Sequence, residues 1–538
     1  MTPDRPSPEQ SSSDRVRIRL EPLAVELEVP RGGSLVAGLA AHGVEFPCGG
    51  MGECGGCQVR LLSGSLPVTA PDAASFTADQ LAQGWRLACQ ARACEPLVLE
   101  CGQWHMEILT DAEVAPSFSG VLSRERAGGL FTKERGLAVA IDLGTTTIAA
   151  QLIDAASGDV LGVETALNPQ ACFGSDVMSR IRAALEGQDL TTPIRATLGN
   201  LILRLARGRA SQLVEILLVG NTVMHHLFSG LDVEPLSHVP FASPHLAEQR
   251  FTPRDLDWDI NSDCVIRFAR CIGGFVGSDI LAGIIATGVA RRDDLAALVD
   301  LGTNGEIAMG NRHAIVCAST AAGPAFEAGA IRMGMRAVTG AIAHVTLADR
   351  ALHPTVIGDV APRGICGSGL VDAVAAGLRL GAILPSGRVA NGDKLFAVAA
   401  PVVLYQSDIR ELQLAKGAIA AGFRLLLKRL GTDVSSLHSI HLAGAFGNYV
   451  QIESALRIGL IEAPRPIIHC AGNTALRGAR LLLLAAQDPP LPPMEHVSLA
   501  ADPIFQDEFA SAMAFPGADA FSPPGKDTGT LASQGAIG

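Results

Sequence analysis

Two kinds of chemistry are written into this chain by residue type and spacing. Cys48, Cys54 and Cys57 stand in F-P-C-G-G-M-G-E-C-G-G-C, a Cys-x5-Cys-x2-Cys set, and Cys89 follows in W-R-L-A-C-Q. Thiolates in so glycine-rich a loop suit an iron–sulfur cluster. Gly49, Gly50, Gly52, Gly55 and Gly56 let backbone N–H groups turn inward onto the sulfurs, which tunes the potential. A structural zinc or free thiols are the competing readings, but zinc favours paired Cys-x2-Cys knuckles and only one such pair is present. Cys94, Cys101, Cys172, Cys264, Cys271, Cys317, Cys366 and Cys470 lack ligand spacing and read as small packing residues. Cys366, in the turn ICGSGL, is the one that a ligand could touch.

The second kind is carboxylate and phosphate chemistry. Leu137–Thr147, LAVAIDLGTTT, and Ala297–Glu306, ALVDLGTNGE, are apolar runs that end in Asp-Leu-Gly-Thr. Asp142 and Asp300 at the strand ends can hold a hydrated Mg²⁺ or position an attacking water. Gly144 and Gly302 allow tight turns, and Thr145, Thr146, Thr147, Thr303 and Asn304 can face phosphates. Glu306 is either a further group orienting water or Mg²⁺, or a strand-edge surface carboxylate. Two copies of one turn imply a duplicated α/β unit with a phosphate chain clamped between the halves, since ligands favour domain interfaces and strand carboxyl ends.

The elements that must position these residues follow from periodicity. Residues 15–30 alternate as a hairpin, Ser34 caps a short helix, and Gln58–Leu62 is a strand. From Gly136, strand, turn and strand lead into helices at 176–185 and 193–205 and the buried strand 214–219. That strand runs into G-N-T-V-M-H-H-L, where the adjacent His225 and His226 lack the i, i+4 spacing of a metal pair and read as structural. A helix over 280–289 precedes the echo. A long amphipathic helix over 408–430 precedes SIHLAGAFGNYV, whose Gly444 and Gly447 permit close approach to a flat ring. The resulting division is a disordered leader 1–14, a cluster domain 15–104, a linker 105–135, ATPase halves 136–271 and 272–487, and a Pro- and Gly-rich, partly disordered tail 488–538.

Composition limits the rest. With 538 residues the chain needs several cores, and 48% hydrophobic against 18% charged residues supplies them. A net charge of −12 without a Lys/Arg cluster argues against nucleic acid as a partner. No run of 18 apolar residues is present, so no ordinary membrane span is expected. The leader has no apolar stretch of the signal-peptide kind, and twelve cysteines then point to a reducing, cytoplasmic compartment.

The cysteine loop resembles a 2Fe–2S ferredoxin of the β-grasp type, in a variant with five rather than four residues between the first two ligands. The order Asp142–Thr147, Asp300–Glu306, Gly444–Gly447 resembles the superfamily of acetate and sugar kinases, heat-shock chaperones and actin. Together with GNTVMHH, AAGPAFE and AGAFGNY, the chain resembles the reductive activators of corrinoid-dependent methyltransferases and corrinoid iron–sulfur proteins, over residues 15–487. The resemblance implies an α+β ferredoxin followed by a duplicated, actin-like α/β ATPase. It implies Cys48, Cys54, Cys57 and Cys89 as iron ligands, and Mg-ATP on Asp142, Asp300 and the two turns. It implies one-electron reduction of a partner's corrinoid from Co(II) to Co(I), with an upstream electron donor and a possible homodimer. Such activators often carry a small additional domain before the ATPase, for which the interval 101–136 is too short. A small-molecule kinase with a redox domain and a nucleotide-locked redox sensor are the alternative readings.

Overall fold

The structure is a computed structural model, described here over residues 15–21, 25–40, 44, 46, 52, 57–101, 136–174, 176–302, 304–485 and 489–517. Cys48, Cys54 and Thr303, the leader and the linker lie outside the described residues.

The N-terminal unit is built by alternation. Strand β1 (Arg15–Glu21) buries every second residue, and Ile18 and Leu20 are fully buried. Each such side chain contributes roughly 1.5–3 kcal/mol relative to leaving it exposed. It pairs antiparallel with β2 (Val25–Pro30); β3 (Gly33–Ser34) and the helix Val36–Ala40 follow. Then come β4 (Gln58–Ser63), β5 (Trp85–Leu87), β6 (Arg92–Ala93) and β7 (Leu97–Cys101). The main sheet has the order β2-β1-β7-β4-β5, with β1 and β7 parallel at its centre.

The next six strands are β8 (Leu137–Leu143), β9 (Thr147–Asp154), β10 (Val160–Leu167), β11 (Leu213–Gly220), β12 (Gln249–Phe251) and β13 (Val265–Phe268). They form one sheet in the order β10-β9-β8-β11-β13-β12. Strands β14 (Leu295–Leu301), β15 (Gly305–Gly310) and β16 (Ile315–Thr320) open the second half. A small sheet of β17 (Ala341–Ala348), β18 (Ala351–Val356) and β19 (Gly364–Ile365) is inserted, and β20 (Leu395–Ala399) pairs with β21 (Val402–Tyr405). With β22 (Leu437–Ala443), β23 (Ile468–Gly472) and β24 (Met494–His496) the second large sheet runs β23-β22-β14-β15-β16-β24. Counted within each sheet, both share the run third, second, first, fourth; the sixth strand, β13, follows it in the first sheet and the fifth strand, β23, in the second. β8 and β14 occupy the same central place, buried on both faces, which is why both read as unbroken apolar runs. Helices Ser278–Thr287 and Thr474–Leu484 pack on each other between the two sheets.

The boundary at 487 falls inside the fold. β24 pairs with β16, and helix Phe505–Ala512 packs on helix Gln406–Arg429, where Arg424 and Lys428 pair with Glu508. Lys416, buried in that long helix, donates to the Ala514 carbonyl at 2.5 Å. A Pro-rich composition concealed one three-residue strand and one short amphipathic helix. Residues 518–538 lie outside the described residues.

Candidate functional site

Strand register brings Asp142 and Asp300 to the mouths of two equivalent hairpins. Asp142 lies opposite Ala149 across β8 and β9, and Asp300 lies opposite Glu306 across β14 and β15. A cleft of about 310 Å³ between the halves is lined by both aspartates, Thr146, Gly302, Phe446 and Tyr449, among others.

The first hairpin turn is held from behind. Gly144 N–H donates to the Thr147 carbonyl at 3.1 Å, and a Cβ on Gly144 would meet that oxygen at 2.5 Å, so the turn needs glycine. The Asn168 amide donates to the Gly144 carbonyl at 2.9 Å, and the Asn168 N–H donates to the Thr146 carbonyl at 2.9 Å. The Arg180 guanidinium donates to the Thr145 carbonyl at 2.5 Å. Because each peptide is planar and trans, carbonyls drawn to one side turn the amides of Thr145, Thr146 and Thr147 to the other. These three residues line the cleft. Asn221 also donates to the Thr145 hydroxyl at 2.9 Å.

In the second hairpin Gly302 N–H donates to the Asn304 carbonyl at 3.0 Å. Its φ is not left-handed, and a Cβ there would find nothing nearer than Asn304 O at 3.8 Å. The fold itself therefore does not require this glycine. The space its missing side chain leaves belongs to the cleft.

The acids are concentrated on one side. Burial, then Asp142, pushes Asp300 up to about 7. Asp279, at the start of helix Ser278–Thr287, is pushed to about 8 by burial and then by Asp300. Glu306 is raised well above its ordinary value by burial, then by Asp279 and Asp300; Ser319 donates to it at 3.2 Å. Asp142 rises to about 6 through burial, opposed by the Asn473 amide, which donates to it at 2.9 Å. Carboxylates buried together in this way call for a cation. Among the described residues no three His, Cys, Asp or Glu side chains are close enough to hold a bare ion. Mg²⁺ does not need such a cage, because it keeps several waters and takes phosphate oxygens as ligands. Asp279 escaped the sequence reading because it lies on a helix rather than at a strand end; its position in G-S-D at a helix start was the available signal.

Gly444 adopts φ +82°, and a Cβ there would meet Asp300 Oδ1 at 2.5 Å. Its role is close packing on the second aspartate. Gly447, expected at the ring-binding wall, packs against Leu442 and Leu301, while Phe446 and Tyr449 line the cleft. Cys366 precedes helix Gly367–Leu380 and lines the cleft with Gly367 and Ser368, so this helix N-terminus faces the site. His225 and His226 are buried; His226 bonds the Thr222 carbonyl and the Ser243 hydroxyl, each at 2.7 Å, as structural histidines do.

In the cluster domain, Gln58 pairs with Leu87 and Ala88 N–H donates to the Cys57 carbonyl at 2.8 Å. This register puts Cys57 and Cys89, both buried, at one end of the β4–β5 pair. The Gln90 amide donates to Cys89 Sγ at 3.4 Å, and Gly52, at φ +80°, could not carry a Cβ without meeting that amide at 2.9 Å. Buried sulfurs with an amide donor are the surroundings a cluster needs.

Three family models match in succession: the 2Fe–2S iron–sulfur cluster binding domain over 18–94, the RACo middle region over 137–292, and the C-terminal ASKHA domain of RACo over 294–524. The corrinoid activation enzyme RamQ of Eubacterium limosum is 35% identical over 410 residues, 69% of each chain. The chain belongs to the family of corrinoid reductive activators. The methylated-amine-specific Co(II) corrinoid protein reductase of Methanosarcina barkeri is 28% identical over 64% of this chain and 69% of its own. A solved reductive activator for corrinoid, iron–sulfur protein superposes with a TM-score of 0.63 at 26% identity, covering 93% of this chain and 98% of that one.

Membership sets the cofactors of this activator as a 2Fe–2S cluster and ATP with Mg²⁺, and removes the zinc reading of the cysteines. The model of the family's middle region matches 137–292, the sheet read from sequence as the first ATPase half, and begins after the interval 101–136. Among the described residues no helix is long and apolar enough to cross a membrane.

Proposed function

We propose that the chain uses Mg-ATP in the cleft between its halves to drive one-electron reduction of a partner corrinoid protein from Co(II) to Co(I). The observation that carries this reading is the cleft itself, with three raised carboxylates, Asp279, Asp300 and Glu306, facing a turn whose amides are directed at the same space. Asp300 and Asp279 hold the hydrated Mg²⁺, and Glu306 orients the attacking water. Thr145, Thr146, Thr147, Thr303 and Asn304 bind phosphate oxygens, and Phe446 and Tyr449 take the base. Cys48, Cys54, Cys57 and Cys89 are the iron ligands, and the cluster they hold supplies the one-electron chemistry. Positioning and charge stabilisation suffice for phosphoryl transfer, with little covalent chemistry asked of the protein.

Ordinary low-potential ferredoxins lie near about −400 mV, and Co(I) is a stronger reductant than that. The nucleotide must therefore change which bound state of the partners is favoured, through differential affinity for the two states. The partner is a corrinoid protein; an upstream electron donor, homodimer formation and a cytoplasmic location complete the proposal. The test is anaerobic: reconstituted protein, a Co(II) corrinoid protein, a chemical reductant and Mg-ATP, followed at the Co(I) absorbance band. Co(I) should form with ATP and not with a non-hydrolysable analogue. Equal Co(I) without nucleotide would sink the coupling, and phosphorylation of a small acceptor would establish the kinase alternative.

A further inference from the structure

Among the described residues, the cluster domain meets each half of the rest of the chain. Helix Val36–Ala40 lies against the 3₁₀ turn Pro169–Phe173 of the first half. Glu100, in β7, pairs with Arg363 of the second half at 3.7 Å and with Arg60 of its own domain at 3.0 Å. Both landing points are wired to the cleft. Asn168, immediately before the 3₁₀ turn, holds the Gly144 and Thr146 carbonyls and caps Gln170 N–H at 3.0 Å. Gln170 in turn accepts from Arg180 at 3.3 Å, the same guanidinium that holds Thr145. Asn168, Gln170 and Arg180 are all at most 1% exposed, so this linkage is rigid and shielded from water.

On the other half, Arg363 N–H donates to the Gly340 carbonyl at 2.8 Å and leads directly into β19. The Ile365 carbonyl of β19 accepts from Met335 N–H at 3.0 Å. Met335, Arg336, Cys366 and Ser368 all line the cleft. Each docking point is thus one or two hydrogen bonds from the nucleotide site.

We propose that Asn168 and Arg363 are positioning residues through which the nucleotide state of the cleft sets whether the cluster domain is docked across the two halves. A domain resting on one half would move with it and sense nothing. One that bridges both is held only at the angle where both contacts are made, and clefts of this kind close around ligands by hinge motion. The docked population then shifts by as much as the two nucleotide states differ in that angle. This inference rests on the reading that the cleft takes Mg-ATP.

The test is hydrogen exchange by mass spectrometry on the full, cluster-loaded chain with Mg-ADP and with a non-hydrolysable Mg-ATP analogue, nucleotide affinity being measured in parallel. Amides of 36–40 and 170–173 should exchange at rates that differ at least about threefold between the two states, the scale an exposed ion pair supports. Arg363→Glu should erase that difference and Arg363→Lys should keep it, with basal ATP hydrolysis of both unchanged. Asn168→Ala should also erase it, without altering the visible circular dichroism of the cluster. Tight binding of both nucleotides with identical exchange, or a difference that survives Arg363→Glu, overturns the inference while leaving the ATPase reading intact. Failure to bind either nucleotide overturns both.

Discussion

The two halves present the same hairpin to the cleft with opposite chemistry. Opposite Asp142 stands Ala149, and opposite Asp300 stands Glu306. The second residue of the helix Thr474–Leu484 is Ala475, whereas the second residue of Ser278–Thr287 is Asp279, and both line the cleft. Helix Thr474–Leu484 packs on β8 and β11, so two alanines on the β8 side of the cleft answer two acids on the β14 side. Behind the first turn, Asn168 and Arg180 fix three carbonyls, and Asn473 neutralises part of Asp142's demand for a partner. The contrast supports the proposal that the cation sits on the side of Asp300 and that the first turn makes most of the phosphate contacts.

The largest effect that would break this comparison comes from removing the central charge on each side. Asp300→Asn should lower the rate of ATP hydrolysis by about 10²–10³-fold at saturating Mg²⁺, the scale of losing one preorganised electrostatic group. Asp142→Asn, which leaves the second-half acids in place, should cost about tenfold, because Asp142 already shares its charge with an amide donor. Equal losses would mean that the halves are not specialised. Next in size are the two glycines. Gly302→Ala should fold normally and lose about tenfold in Mg-ATP affinity, since its Cβ meets nothing in the protein closer than 3.8 Å. Gly144→Ala should instead lower the melting temperature by about 2–4 °C or more per kcal/mol of strain, because its Cβ would press on a carbonyl at 2.5 Å. Calorimetry and thermal unfolding separate the two outcomes.

How far the sequence carried is itself explained by where each residue sits. Strand ends were legible because β8 and β14 are buried on both faces and so run apolar without interruption into Asp-Leu-Gly-Thr. The duplication was legible for the same reason. The inserted sheet of β17, β18 and β19 was not, since β18 alternates half-buried with exposed residues and offers no continuous run. Asp279 was not legible because its importance comes from a helix that packs across from the first sheet to the second and brings it beside Asp300. No local pattern records that crossing. Gly447 failed for the opposite reason: a Gly-x-x-Gly spacing suggested a ligand wall, while the segment is a short helix, Gly444–Tyr449, whose aromatic residues reach the cleft instead.

A smaller effect turns on pH. Asp279 and Asp300 are raised from 3.8 to about 8 and about 7, so the folded chain binds more protons than the unfolded one between those limits. Stability without Mg²⁺ is therefore greatest below pH 4 as far as these two groups are concerned, and falls as pH rises through 7 to 8. Mg²⁺ needs the ionised forms, so its apparent affinity should rise over the same interval with release of protons. Asp279→Ala gives the β14 side of the cleft what Ala475 gives the β8 side. It should raise the melting temperature at pH 8 by at least about 2 °C in EDTA, with a smaller gain at pH 5, while weakening Mg²⁺ binding. A gain independent of pH would show that Asp279 costs stability through packing and not through its charge.

The smallest effect runs the comparison the other way. Asn473 is both the N-cap of helix Thr474–Leu484, accepting from Leu476 N–H at 2.8 Å, and the donor to Asp142. Asn473→Asp keeps a good cap, so at pH 5, where Asp142 is largely protonated and can donate to the new carboxylate, the melting temperature should stay within about 2 °C of the parent. At pH 8 two carboxylates would face each other without the amide proton between them, and the variant should lose stability and bind ATP more weakly. Mg²⁺ in excess should restore part of that loss, because a cation between two carboxylates is the arrangement proposed for the second half. If Mg²⁺ restores nothing, an acid pair alone does not make the first turn a cation site. The placement of the amides behind Asn168 and Arg180, rather than the count of charges, would then be what keeps that half for phosphate.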